Sequence, residues 1–161
     1  MSLKVLGLAA LAVAVFFGIS ACKKSSQPTE SSNAATDSSG EPEKIKVQHI
    51  LIAFDGTLPG QKVDRSKEAA KKLADELVEK AKKPDTNFEA LVSEFSSDRP
   101  PGVYELTNFG VAASGGAFPR EQMVAAFGNV GFKLKVGEVG LAEFDEKTSP
   151  FGYHIIKRLN L

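Results

Sequence analysis

The spacing of apolar residues changes along this chain, and each change marks an element. Lys23 to Glu43 is rich in Ser, Thr, Asn, Gln and Pro and almost free of large apolar side chains, so it reads as a flexible tether that buries too little surface to fold. Ile45 to Phe54 (IKVQHILIAF) is β-branched and apolar, with Val47, His49 and Leu51 on one face and Ile50 and Ile52 on the other. A strand apolar on both faces belongs in the middle of a sheet covered on each side. A loop with Gly56, Pro59 and Gly60 then leads to a helix predicted over 66–82, where Ala69, Ala70, Leu73, Leu77 and Ala81 recur at helical spacing. After Pro84 a second helix is expected. Thr86 and Glu89 form a capping-box pattern, and Phe88, Leu91, Val92 and Phe95 form the buried stripe.

Beyond Ser96 the pattern weakens. Asp98-Arg99-Pro100-Pro101-Gly102 is a turn, Val103 to Phe109 a weakly alternating strand, and Val111 to Phe118 a glycine-containing loop. Pro119 stands at an expected helix start, with Met123 and Phe127 four apart on one face. Strands are expected over 138–144 and 153–159, and in the last of these His154 and Ile156 share a face. The order strand, two helices, strand, helix, strand, strand describes a small α+β sheet with helices packed on it.

Composition narrows the function classes. A chain of 161 residues, 42% of them hydrophobic, can bury one ordinary core. Lys and Arg balance Asp and Glu at 20 each, so no global field draws the protein to nucleic acid or an anionic surface. The single cysteine, Cys22, excludes an internal disulfide and a multi-cysteine metal site.

The N-terminus has the parts of an export signal: Lys4, an uncharged apolar run from Val5 to Ile19, and Ile19-Ser20-Ala21-Cys22. The run is shorter than the about 20 residues of a membrane span. Its last four residues resemble the lipobox of bacterial lipoproteins, which implies lipidation of Cys22. An uncleaved anchor helix with an incidental cysteine is the other reading. Either places the domain on a membrane outside the cytoplasm. The expected division is a signal peptide over 1–21, a lipidated cysteine and linker over 22–43, and one folded domain over 44–161.

From His49 onward the ordered set His-Ile-Leu, FEALVSEFSSD, FPREQMVAAF, KVGEVG and FGYHIIKRL resembles the parvulin-type peptidyl-prolyl cis/trans isomerases over nearly all of residues 45–161. The resemblance implies a four-stranded antiparallel sheet wrapped by helices, isomerisation of the bond preceding proline, and no metal or organic cofactor. It implies that Met123 and Phe127 line a proline pocket, although their spacing alone fits plain helix core. His49 and His154 match the family's paired histidines, for which Ser149 is the expected hydroxyl partner. Asp98 matches a position near the rotating carbonyl, and a turn role fits it equally. Phe151 suits either the pocket rim or sheet packing. The segment GVYELTNFGVAASGGAF departs from the family's Gly-Gly-acidic-Leu-Gly pattern, which leaves Leu106, by strand position, as candidate third wall.

The partners this implies are proline-containing unfolded or extended polypeptides, and the membrane through the lipid anchor. A non-catalytic, membrane-tethered chaperone or scaffold with the same fold is the rival reading. The loop from Asp55 to Asp64, followed by Arg65, holds Lys62 but also two acids, so selection for a phosphorylated residue before proline is not expected.

Overall fold

A computed structural model describes residues 40–161. The elements are β1 (Lys44–Ile52), α1 (Lys67–Ala81), α2 (Phe88–Phe95), β2 (Val103–Thr107), β3 (Phe118–Pro119), a 3₁₀ turn (Arg120–Gln122), α3 (Ala125–Gly131), β4 (Val139–Ala142) and β5 (Tyr153–Leu159). The sheet order is β3-β2-β1-β5-β4. The expected four antiparallel strands are β2, β1, β5 and β4. A fifth, β3, adds two residues parallel to β2, too few for any alternation to be read in sequence. Among the described residues no helix is long and apolar enough to cross a membrane.

Strand β1 is central, and it buries both faces. Ile50 and Ile52 pack with Tyr153 and Ile155 against Ala70, Ala74 and Leu77 of α1 and Phe88, Leu91 and Val92 of α2. Ile45 and Val47 pack with Leu106 and Ile156 against Phe127 and Phe132 on the α3 side. The sheet is therefore the middle of three layers, and the period-two apolar pattern of β1 requires both covers.

Two local expectations shift. Helix α1 starts as read, with the Ser66 hydroxyl accepting from the Ala69 amide. At α2 the cap is Asn87, whose side-chain oxygen accepts from the Ala90 amide at 3.1 Å. Thr86 instead donates to the Lys80 carbonyl at 2.7 Å, closing the end of α1. The helix expected from Pro119 is also broken. Pro119 lies in β3, a single 3₁₀ turn follows, and Met123 is extended and Val124 non-helical before α3 begins at Ala125. Met123 and Phe127 thus do not share a helix face. Helix α3 is short and contains two close approaches: a Cβ at Gly128 would lie 3.0 Å from Arg120 Cγ, and one at Gly131 would lie 3.2 Å from Ile45 Cδ1.

Arg120 organises the corner that these deviations create. Its guanidinium is buried between the rings of Phe109 and Phe132, at 4.6 and 4.5 Å from their centroids. It donates to Asn108 Oδ1 at 2.7 Å, to Asn129 Oδ1 at 3.0 Å and to the Glu41 carboxylate. Asn108 in turn holds the chain before β1, donating from its backbone amide to Glu43 O and from Nδ2 to Pro42 O. A buried cation thus recruits Glu41, the acid just ahead of β1.

Arg120→Met keeps an apolar stem between the rings and removes the charge and its donors. It should lower the unfolding free energy of the full chain by about 3 kcal/mol, read as a lower urea midpoint at constant slope. An unchanged midpoint would show that ring packing alone closes this corner.

Candidate active site

The site forms on the α3 face of the sheet, where two strands bring the only two histidines of the chain together. In the β1–β5 register His49 pairs with Ile156 and Leu51 with His154, so the histidines are diagonal neighbours on one face. Their Nδ1 atoms are 3.2 Å apart, and the rings stack at 14°. The turn after α2 supplies the next group: His49 Nε2 lies 3.0 Å from Asp98 Oδ2. That turn is pressed onto β1. Gly102 accepts from the His49 amide at 3.0 Å, has a φ of +61°, and offers no room for a side chain, since a Cβ would sit 2.7 Å from His49 O.

Asp98 collects three donors. Oδ2 accepts from His49 and from the Tyr104 hydroxyl, both at 3.0 Å, and Oδ1 accepts from the Arg99 amide at 2.8 Å. The His49 hydrogen bond is the largest influence holding its carboxyl well below the usual carboxylate range, against the opposing effect of burial. Asp98 is therefore an anion. Burial, and then the neighbouring His49, drive His154 down to about 3, so it is neutral at pH 7. Burial, and then the charge of Asp98, raise the Tyr104 phenol, which stays a donor.

These charge states order the protons. A carboxylate only accepts, so His49 carries a proton on Nε2; in its neutral form its bare Nδ1 accepts from His154 Nδ1–H. His154 Nε2 is then bare as well, and it is buried without a hydrogen-bond partner among the described residues. The row runs from the Asp98 anion through His49 to the neutral His154 imidazole.

Beside this row lies a cavity of about 260 Å³, walled by His49, Leu51, Leu58, Asp98, Tyr104, Met123, Val124, Phe127, Phe151 and His154. It is smaller than the about 300–1,000 Å³ of sites that enclose drug-sized ligands or cofactors, and it suits one apolar side chain with the backbone leading to it. Phe127 is the floor, 1% exposed, with its ring edge-on to His49 at 5.2 Å and His154 at 5.6 Å. A larger depression of about 520 Å³ runs along α1, but Lys, Glu and Asp side chains line it together with Tyr153, and the charges there face water in helix ion pairs.

Six residues singled out in the sequence thus meet at one cavity: His49, Asp98, His154, Met123, Phe127 and Phe151. Two do not reach it. Ser149 is fully buried and donates to the Gly152 carbonyl at 2.9 Å, so its hydroxyl shapes the turn before β5 and is bonded to neither histidine. Leu106 is 0% exposed and packs in the core with Ile45, Val47 and Phe127. The third wall is Tyr104, two residues earlier on the same face of β2, and its alternation with Leu106 was the available signal. Leu58 comes from the β1–α1 loop, where no periodicity could have marked it. Cys22 lies outside the described residues. Among the described residues no group of three or more His, Cys, Asp or Glu side chains is placed to hold a metal.

Comparison with known proteins identifies the family of the chain. The family model described as a PPIC-type PPIase domain matches residues 32–160. The solution structure of TbPIN1 is similar in fold, with a TM-score of 0.54 and 22% identity over 73% of this chain and 98% of that one. PrsA from Bacillus subtilis is 31% identical over 74% of this chain, with a TM-score of 0.47. The matched part of this chain spans 36% of that PrsA chain. The match over most of its length places this chain in the PPIC-type PPIase, or parvulin, family.

Proposed function

We propose that the cavity holds the substrate proline while the Asp98–His49–His154 row acts on the preceding carbonyl, and that the protein assists the folding of exported polypeptides from a lipid anchor at Cys22. The observation that carries the site assignment is the meeting of an apolar cup with a charged, triply hydrogen-bonded carboxylate at its lip.

Rotation about the bond faces a barrier of about 18–20 kcal/mol set by amide resonance, and each factor of ten in rate needs about 1.4 kcal/mol of preference for the twisted amide. No covalent bond has to form. In the planar amide, resonance places negative charge on the carbonyl oxygen; in the twisted amide that charge is reduced. A fixed anion near this oxygen disfavours the planar state more than the twisted one, so Asp98 lowers the barrier by its charge alone. Its role requires that it stay ionised, which the His49 hydrogen bond ensures. His154 orients His49 through its tautomer, and neither histidine needs to exchange a proton with substrate. Met123, Val124 and Phe127 grip the ring so that the carbonyl side turns, and the cup removes water that would stabilise the planar dipole.

Exchange between cis and trans forms of a short Ala-Pro peptide, followed by NMR with and without the full chain, tests the assignment. Phe127→Leu keeps apolar bulk and should cost less than about 1.5 kcal/mol of stability. It should nonetheless reduce kcat/KM by about tenfold through loss of the ring that floors the cup. Unchanged turnover in a folded Phe127→Leu protein would remove Phe127 from the substrate site.

The loop after β1 argues against phosphate recognition. The Arg65 guanidinium donates to the Ala53 carbonyl at 2.8 Å, and Lys62 pairs with Asp64 at 3.6 Å, so the two cations are engaged apart from each other. Unphosphorylated prolyl peptides should be turned over at least as well as matched phosphoserine peptides. A strong preference for the phosphorylated member that fades with added salt would overturn this.

The anchor has its own test. Cys22→Ser should release the protein from membranes and leave its turnover of prolyl peptides intact, because the proposed role of the anchor is tethering alone. Full membrane retention of that variant would point to an uncleaved helix.

A further inference from the structure

The apolar surface on the site face does not end at the cup. Phe118, in the edge strand β3, is the register partner of Leu106 and so projects to the same face as Tyr104. Its ring stands 6.0 Å from that of Tyr104, at 62°. Tyr104 in turn stands 6.2 Å from Phe127, so it is at once a wall of the cup and the neighbour of Phe118. Phe118 is 46% exposed.

The exposure of a nearby ring has an internal explanation that Phe118 lacks. Phe109 is 56% exposed, but one of its faces covers the buried Arg120 guanidinium. Phe118 is packed into neither core cluster of the described residues. It presents an open aromatic step at the end of a strip that begins in the cup.

We propose that Phe118 is a secondary subsite that takes a large apolar side chain, preferentially aromatic, of an extended polypeptide whose proline occupies the cup. This rests on the assignment of the cup to proline. Continuity identifies the occupant, because a chain leaving the cup over Tyr104 meets Phe118 next. Two ring-to-ring steps of 6.2 and 6.0 Å separate Phe127 from Phe118. An extended chain advances about 3.3 Å per residue, which places the selected side chain about two to four residues from the proline. Such a subsite favours prolines embedded in apolar sequence. Those are buried in folded proteins and accessible in unfolded ones, so the subsite directs the isomerase to chains that have yet to fold.

The test is a set of prolyl peptides in which one alanine, two to four residues to either side of the proline, is replaced by phenylalanine. KM and kcat come from NMR exchange and Kd from NMR titration, with the full chain and its Phe118→Ala and Phe118→Leu variants. For wild type, phenylalanine at one of these positions should lower KM and Kd by about five- to tenfold relative to the alanyl peptide, with kcat little changed. In Phe118→Ala that advantage should vanish, and in Phe118→Leu it should be partly restored. Melting curves check that the variants are folded, which the exposure of the side chain favours.

An aromatic advantage of equal size in Phe118→Ala, or none at any position in wild type, would overturn the subsite. Turnover of no peptide by wild type would instead overturn the placing of the active site, and the Kd comparison would still decide whether Phe118 binds an apolar flank.

Discussion

Everything in this domain is hung on one strand that must be dry on both sides. Ile45, Val47, Ile50 and Ile52 of β1 are each 0% exposed, and they alternate between the two faces of the sheet. One layer of helix could shield only half of them. The fold therefore needs α1 and α2 on one face and the 3₁₀ turn with α3 on the other, and β2 and β5 must flank β1 to satisfy its backbone groups. The candidate active site is a consequence of this arrangement. It lies where the cover on the α3 face is incomplete, at the end of β1 that carries His49 and Leu51.

Polar groups placed in such a layer must satisfy one another, and the site does so in a directed way. The His49–Asp98 contact connects the sheet to the turn after α2, and the His49–His154 contact connects the two central strands. One end of the row is an anion shared among three donors, and the other is an imidazole too buried to protonate at neutral pH. The His49 hydrogen bond keeps Asp98 ionised against burial, and burial keeps His154 neutral. The floor of the cup, Phe127, packs edge-on to both imidazoles, so the apolar and polar halves of the site hold each other in place.

Arg120 shows how the cover on this face is itself secured. Helix α3 is only seven residues long, too short to be stable on its own propensity. The guanidinium ties it, through Asn129, to the β2–β3 connection and to the segment ahead of β1. Gly128 allows the arginine side chain to come that close. The glycines that weaken the helical pattern in this stretch are thus part of what fastens it.

The sequence by itself determined the elements whose spacing repeats: the two-faced β1, the extent of α1 and most of its buried face (Ala70, Leu77 and Ala81, but not the exposed Ala69), the stripe of α2, and β5 with His154 on the face of Ile156. The ordered motifs from His49 to the C-terminus also determined the family, and with it the cup residues Met123 and Phe127 and the polar row. Only the tertiary structure decided what depends on contacts between distant segments. Asn87 displaces Thr86 as the cap of α2 because Thr86 is drawn to the end of α1. The helix expected from Pro119 breaks because β3 pairs with β2 there. Tyr104 takes the third wall and Leu106 the core, although both lie on one face of β2, because depth along a strand is set by what packs over it. Ser149 turns to Gly152 and away from the histidines, and Arg120 gathers Glu41, Asn108 and Asn129 across 79, 12 and 9 residues of chain. Periodicity reports which face a residue occupies; where along that face water ends and a cavity begins is fixed by the layers that close over it.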